Sequence, residues 1–154
     1  MTSDITIRLS LPQDLTAIVQ FNKAMAWETE QKKLNVEILS AGVQKVLSGK
    51  TEAFYLVALN QGEQVIASLM VTKEWSDWRN AFIWWIQSVY VLPQYRRKGI
   101  YSKLYSKVKE LGASNSCCGF RLYVEKNNLS AQRTYSKLGM KHSHYLVYED
   151  MPNE

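Results

Sequence analysis

Cysteine is nearly missing from this 154-residue chain: there are two, and they are neighbours, Cys117 and Cys118. A bond between adjacent cysteines is strained and no other partner exists, so a disulfide framework is excluded. Their reading is as small residues entering a buried strand. Proline and glycine are scarce, three and seven, and no repeat, low-complexity stretch or linker-like run marks a boundary. One domain over residues 1–154 is expected, about the size at which a single core forms. No apolar run reaches the ~20 residues that span a bilayer, and the polar start Met1-Thr-Ser-Asp4 has neither a basic nor an apolar leader segment. These absences predict a cytoplasmic chain without a membrane partner. Histidine is limited to His142 and His144, which share one face of an expected strand with no third ligand in view, so no metal is expected.

What is present is basic and aromatic. Nineteen Lys and Arg against fourteen Asp and Glu leave a net charge of +5, and five tryptophans accompany it. The cations gather between Arg96 and Lys109 rather than interleaving with aromatics on an open face, which argues for one polyanionic small molecule and against nucleic acid. The segment Val89-Tyr90-Val91-Leu-Pro-Gln-Tyr-Arg96-Arg97-Lys98-Gly99-Ile100-Tyr101-Ser102 runs from an apolar strand through a basic turn into an amphipathic helix. The first turn of a helix holds amides with no intrahelical partner and partial positive charge, and Gly99 lets a ligand approach the main chain. A diphosphate suits that junction.

The same residues resemble a known family. Arg96-Arg97-Lys98-Gly99-Ile100-Tyr101 is similar to the pyrophosphate loop of the GNAT superfamily of N-acetyltransferases, Gln/Arg-x-x-Gly-x-Gly/Ala, at its first and fourth positions, with Tyr101 in place of the small sixth residue. Asn128-Leu-Ser-Ala131 through Tyr135 to Leu138-Gly139-Met140 resembles the family's second signature, and Ile7-Arg8 with Asp14-Leu15 its opening strand and first helix.

Periodicity places strands at 6–9, 54–59, 65–71, 81–91, 120–124 and 142–148. It places helices from Pro12, along a stripe of Leu34, Ile38, Val43 and Val46, from 100 to a stop at Gly112, and from an Asn128 cap to Leu138. The expected fold is mixed α/β: a mostly antiparallel sheet with helices on both faces, the 81–91 strand central and buried on much of both. The resemblance implies the same order and a splay between the fourth and fifth strands.

It also implies acetyl-CoA as co-substrate, held along Val89, Tyr90 and Val91, by the loop Arg96, Arg97, Lys98, Gly99, Ile100, Tyr101 and Ser102, and at Asn128. Tyr135 matches the family tyrosine and is the expected acid for the leaving thiolate. Where several family members carry a strand glutamate, this chain has Trp84-Trp85-Ile86-Gln87, so the base falls to Glu28, to water, or to an amine that arrives neutral. Glu30, Trp85 and Gln87 are expected to meet the acceptor, and aromatic faces with carboxylates suit a small cationic amine. A protein lysine or N-terminus is the alternative acceptor, and a non-catalytic acyl-CoA-binding module the alternative class. A last strand at a sheet edge allows a homodimer.

Overall fold

The computed structural model describes residues 4–153, so the expected polar start at residues 1–3 lies outside it. The chain divides into two compact units, meeting between Tyr123 and Val124.

The first unit is built on five strands in the order β1-β2-β3-β4-β5. They are β1 (Thr6–Leu9), β2 (Phe54–Leu59), β3 (Val65–Ser76), β4 (Ala81–Val91) and β5 (Gly119–Leu122), with helices α1 (Leu15–Glu30), α2 (Val36–Leu47) and α3 (Ile100–Ser114) between them. The first four strands pair antiparallel and β5 joins β4 in parallel. Mixed pairing follows from connectivity: hairpins join β2 to β3 and β3 to β4, whereas α3 carries the chain back so that β5 starts at the same end as β4. The β2–β3 turn is fastened by Asn60, whose backbone N–H donates to the Gln64 carbonyl at 3.0 Å while its side chain accepts from the Gln64 amide at 2.9 Å.

Strand alternation sends Tyr55, Val57 and Leu59 to one face, where Ile18 and Val19 of α1 and Val43 of α2 complete a buried cluster. Leu56 and Ala58 point the other way and are fully buried as well. On that second face Trp84 and Phe120, register partners on β4 and β5, pack edge to face, and Tyr105 of α3 meets the same Phe120 ring at 6.1 Å. Helices therefore cover both faces. Asp14, only 2% exposed, begins α1 by accepting from Leu11 N–H at 2.7 Å and from Arg8 at 2.8 Å, which fixes β1 to the first helix.

Several expectations change. Burial on both faces is most complete on β2 and β3, where Leu56, Val57, Ala58, Ile66, Ala67, Ser68, Leu69 and Val71 are all at or near zero exposure; β4, expected to be buried on much of both faces, does bury Ile83 and Tyr90 on one side and Trp84 and Ile86 on the other, but keeps Trp85 and Gln87 half-buried. Ile38 is 72% exposed, and α2 instead sets Leu39, Val43, Val46 and Leu47 against the core. Gly112 does not stop α3. It lies two residues inside the helix end, where a Cβ would stand 2.6 Å from the Phe120 ring, so it is a packing glycine. Cys118 is exposed rather than buried, while its amide donates to the Phe82 carbonyl at 2.8 Å.

The second unit holds α4 (Leu129–Lys137), capped by the Asn128 side chain accepting from Ala131 N–H at 3.1 Å and followed by Gly139 at φ 93°. Residues 142–148 form no strand. Their alternation supplies a pattern but no ladder partner among the described residues, and Leu146 and Tyr148 are 81% and 90% exposed. The two histidines belong to no group of three metal-type side chains among the described residues.

Candidate active site

The end of β4 is irregular in a way that opens it. Met70 pairs with Gln87 and Ser68 with Tyr90, so Ser88 and Val89 together face Leu69: a bulge, with Ser88 in the left-handed region at φ 53°. Parallel pairing with β5 ends at Ile86 and Leu122, while β4 continues to Val91. Beyond Ile86 this edge of β4 has no strand partner among the described residues, which is the expected splay.

Main-chain direction there follows from the ladder. Leu92 N–H donates to the Ile66 carbonyl at 2.9 Å, so Leu92 faces β3 and its neighbour Val91 turns its N–H and C=O to the open edge. By the same alternation Tyr90, opposite Ser68, directs its main chain to β3. Of the three strand residues expected along a ligand, Val91 presents main-chain groups to the edge, Val89 lies in the bulge, and Tyr90 is a side-chain participant.

After Val91 the chain makes a single 3₁₀ turn, Pro93–Tyr95, and then a loop with two left-handed residues, Arg97 at φ 62° and Gly99 at φ 77°. The first bond of α3 runs from Lys103 N–H to the Gly99 carbonyl at 3.1 Å, which leaves the amides of Ile100, Tyr101 and Ser102 ahead of the helical ladder. Alternating backbone handedness before a helix start makes a concave set of N–H groups suited to phosphate oxygens. Lys98 sits with its ammonium 5.7 Å from the Tyr95 ring. Tyr101, in the place of a small residue, stacks on Tyr105 one turn along α3, with parallel rings 6.1 Å apart. These residues fit a diphosphate ligand: a glycine at the left-handed position, a helix start, and formal charge.

Arg96 departs from that pattern. Its Nε donates to the Val91 carbonyl at 2.8 Å, its Nη2 to Glu28 Oε1 at 2.8 Å, and its guanidinium lies 5.1 Å from the Tyr90 ring. The Tyr90 hydroxyl donates to the other Glu28 oxygen at 2.5 Å. Both carboxylate oxygens are thus engaged. Partial burial pushes the Glu28 carboxyl up, but the Tyr90 hydroxyl and the Arg96 guanidinium outweigh it and hold the group below the usual carboxylate range. Burial and then the Glu28 carboxylate push the Tyr90 phenol up in turn. A carboxylate so arranged is a poor proton acceptor at neutral pH. Glu30, the last residue of α1, is exposed.

Further up β4, a polar row lies on the α1–α2 side of the sheet. Gln87 donates to Thr72 at 2.6 Å, Trp85 Nε1 donates to Glu74 at 2.6 Å, Arg121 pairs with Glu74 at 3.4 Å, and the Trp85 and Tyr123 rings are 4.7 Å apart. Trp84 points to the opposite face at 2% exposure, with the Lys73 ammonium 5.3 Å from its ring, and is structural. Trp27, Trp75 and Trp78 are exposed. Glu74 is one of the carboxylates expected beside the tryptophans on the acceptor side, whereas Arg121 and Tyr123 were not expected there; the β4–β5 pairing, which sets Arg121 opposite Trp85, is the signal for them. In the second unit, burial pushes the Tyr135 phenol up, so it stays protonated at neutral pH.

Residues 14–140 match the acetyltransferase (GNAT) family. The chain belongs to that family. A crystal structure of a possible acetyltransferase from Clostridium difficile 630 is 42% identical and superposes with a TM-score of 0.87 over 96% of this chain and 97% of the other. A predicted acetyltransferase from Clostridium acetobutylicum, solved with acetyl-CoA, shares the fold at 15% identity and a TM-score of 0.79, covering 97% of this chain and 98% of its own. Among curated proteins, the thialysine N-epsilon-acetyltransferase of Mus musculus is 35% identical over 82 residues, 52% of this chain and 46% of that relative. The chain thus matches about half the length of that relative.

Proposed function

We propose that this protein transfers the acetyl group of acetyl-CoA to the primary amine of a small charged molecule, by direct attack in a ternary complex. The observation that carries the reading is the conjunction, on one continuous segment, of an open β4 edge at Val91 with a glycine-bearing basic loop and helix start. The loop amides, Arg97 and Lys98 would hold the diphosphate. Val91 N–H would donate to the thioester carbonyl, where negative charge builds during attack. When bound, the co-substrate supplies the activated acyl group.

Tyr135 is the proposed proton donor to the leaving sulfur, a role that suits a phenol kept neutral by burial. Glu28 fits proton removal less well, because Tyr90 and Arg96 occupy both its oxygens. Water or an amine that arrives neutral better fills that part. The polar row of Trp85, Gln87 and Glu74 with Arg121 supports an acceptor bearing charge besides its reactive amine, and thialysine, named for the curated relative, has that character.

The test is CoA release from acetyl-CoA across thialysine, polyamines, free amino acids and lysine-bearing peptides. Turnover restricted to small amines is expected; turnover restricted to peptides overturns the acceptor class. In Tyr135→Phe, kcat should fall about 100-fold with acetyl-CoA binding preserved. A second reading, acyl-CoA binding without catalysis, is favoured by Gln87 standing where a carboxylate is common, and binding without turnover on any amine would establish it.

A further inference from the structure

Arg96 occupies the first position of the basic loop, where its charge invites assignment to the phosphates, yet its side chain turns away from the helix start. We propose that Arg96 is a positioning residue: it fixes the end of β4 for the acyl group and is not a ligand of the diphosphate. The inference rests on the acetyl-CoA reading above.

The geometry assigns it three attachments at once. Nε donates to the Val91 carbonyl at 2.8 Å, Nη2 donates to Glu28 Oε1 at 2.8 Å, and the guanidinium lies over the Tyr90 ring. The first of these has a specific consequence. The peptide unit joining Val91 to Leu92 is held from both sides, its carbonyl by Arg96 and its N–H by the Ile66 carbonyl at 2.9 Å. Among the described residues no strand pairs with Val91 on that edge, so the arginine takes the place of a ladder bond on the splayed side. With that plane fixed and the carbonyl satisfied, Val91 N–H is the main-chain group that residue leaves at the edge for an incoming acceptor atom.

Glu28 completes the device from another element. It belongs to the last full turn of α1, and it accepts from Arg96 on one oxygen and from Tyr90 on the other, while the Tyr90 ring also packs on Phe21 of α1 at 5.3 Å. An isolated surface ion pair would contribute little, but a planar fork shared between a carboxylate and a carbonyl, with an aromatic face beneath it, has one orientation. Lysine cannot reproduce it, since a single ammonium lacks the second, spaced donor. Arg97 and Lys98 carry the cationic role toward phosphate.

The test compares two thioester donors, acetyl-CoA and S-acetylpantetheine, which lacks the diphosphate, using whichever amine the acceptor panel yields. Arg96→Gln is expected to lower kcat/KM about tenfold or more with both donors. Arg96→Lys should not restore it. Glu28→Gln should reproduce the loss with both donors, the double variant should be no worse than either single, and the pH–rate profile should keep its shape. Arg97→Gln with Lys98→Gln should lose activity with acetyl-CoA alone. Should Arg96→Gln impair acetyl-CoA but spare S-acetylpantetheine, or Arg96→Lys restore activity, Arg96 is a phosphate ligand and the inference is wrong. A pH profile reshaped by Glu28→Gln would overturn it as well, by making Glu28 the base. If Arg96→Gln does not fold, Glu28→Gln carries the same comparison from the other end of the pair. Wild-type protein that neither binds CoA nor turns over with any amine sinks the parent reading instead.

Discussion

At Gly112 one hydrogen atom stands where any other residue would place a carbon 2.6 Å from Phe120 Cζ and 2.7 Å from Cys117 Sγ. The Phe120 ring cannot easily yield, because Trp84 and Tyr105 both meet it edge to face. Alanine would gain up to about 1 kcal/mol of helix propensity but force overpacking that costs about 1–3 kcal/mol. Gly112→Ala should therefore be destabilised by roughly 1–2 kcal/mol in a urea melt, and a gain in stability would refute the packing role. Read from sequence, this glycine is a helix stop, since the local signal for punctuation and for close packing is the same residue. Arg96 was equally ambiguous: its type and place in the loop were legible, while the direction of its side chain depends on Glu28, 68 residues earlier in the chain.

At the scale of elements, alternation and capping were read well where both determinants are local. β1, β2 and β4 have the bounds read from the sequence, β1 by alternation, β2 as one arm of a hairpin and β4 from its long aromatic and β-branched run, and Asn128 caps α4 as its type predicts. The pattern failed at 142–148, where strand-like spacing met no strand partner among the described residues, and held only in part on α2, where Val43 and Val46 of the expected stripe are packed in the core but Ile38 is exposed and Leu39 and Leu47 take the buried side. The basic loop offers a controlled test. Gly99 and Gly49 have nearly the same φ, 77° and 76°, and a Cβ on Gly49 meets nothing within 4 Å. Alanine at either should cost about 1–2 kcal/mol of stability through its left-handed φ, but only Gly99→Ala should weaken acetyl-CoA binding in calorimetry. Equal loss of affinity in both variants would remove the loop from the site.

For the molecule as a whole, the +5 charge and the loop together predict linkage between ligand and folding. Acetyl-CoA at about 100 times its Kd should add about 2.7 kcal/mol of apparent stability, seen as a rise in melting temperature. Added salt should diminish that rise, because the diphosphate is held partly by charge. A melting temperature indifferent to acetyl-CoA would contradict the proposed function at its root. No helix among the described residues is long and apolar enough to cross a membrane.

By itself the sequence determined the family, the mixed sheet and its helices, and the place of the basic, glycine-bearing loop before α3, because each is written in spacing over a few residues: alternation, a cap, a glycine before a helix. Only the tertiary structure decided that burial on both sides is most complete on β2 and β3, that β4 has no strand partner beyond Ile86 among the described residues, that Val91 turns its peptide groups to that edge, and that Arg96 and Tyr90 close on Glu28. Those outcomes depend on which residues from distant segments share an edge or a face, and register between strands, unlike periodicity within one, is settled by the packing of the whole.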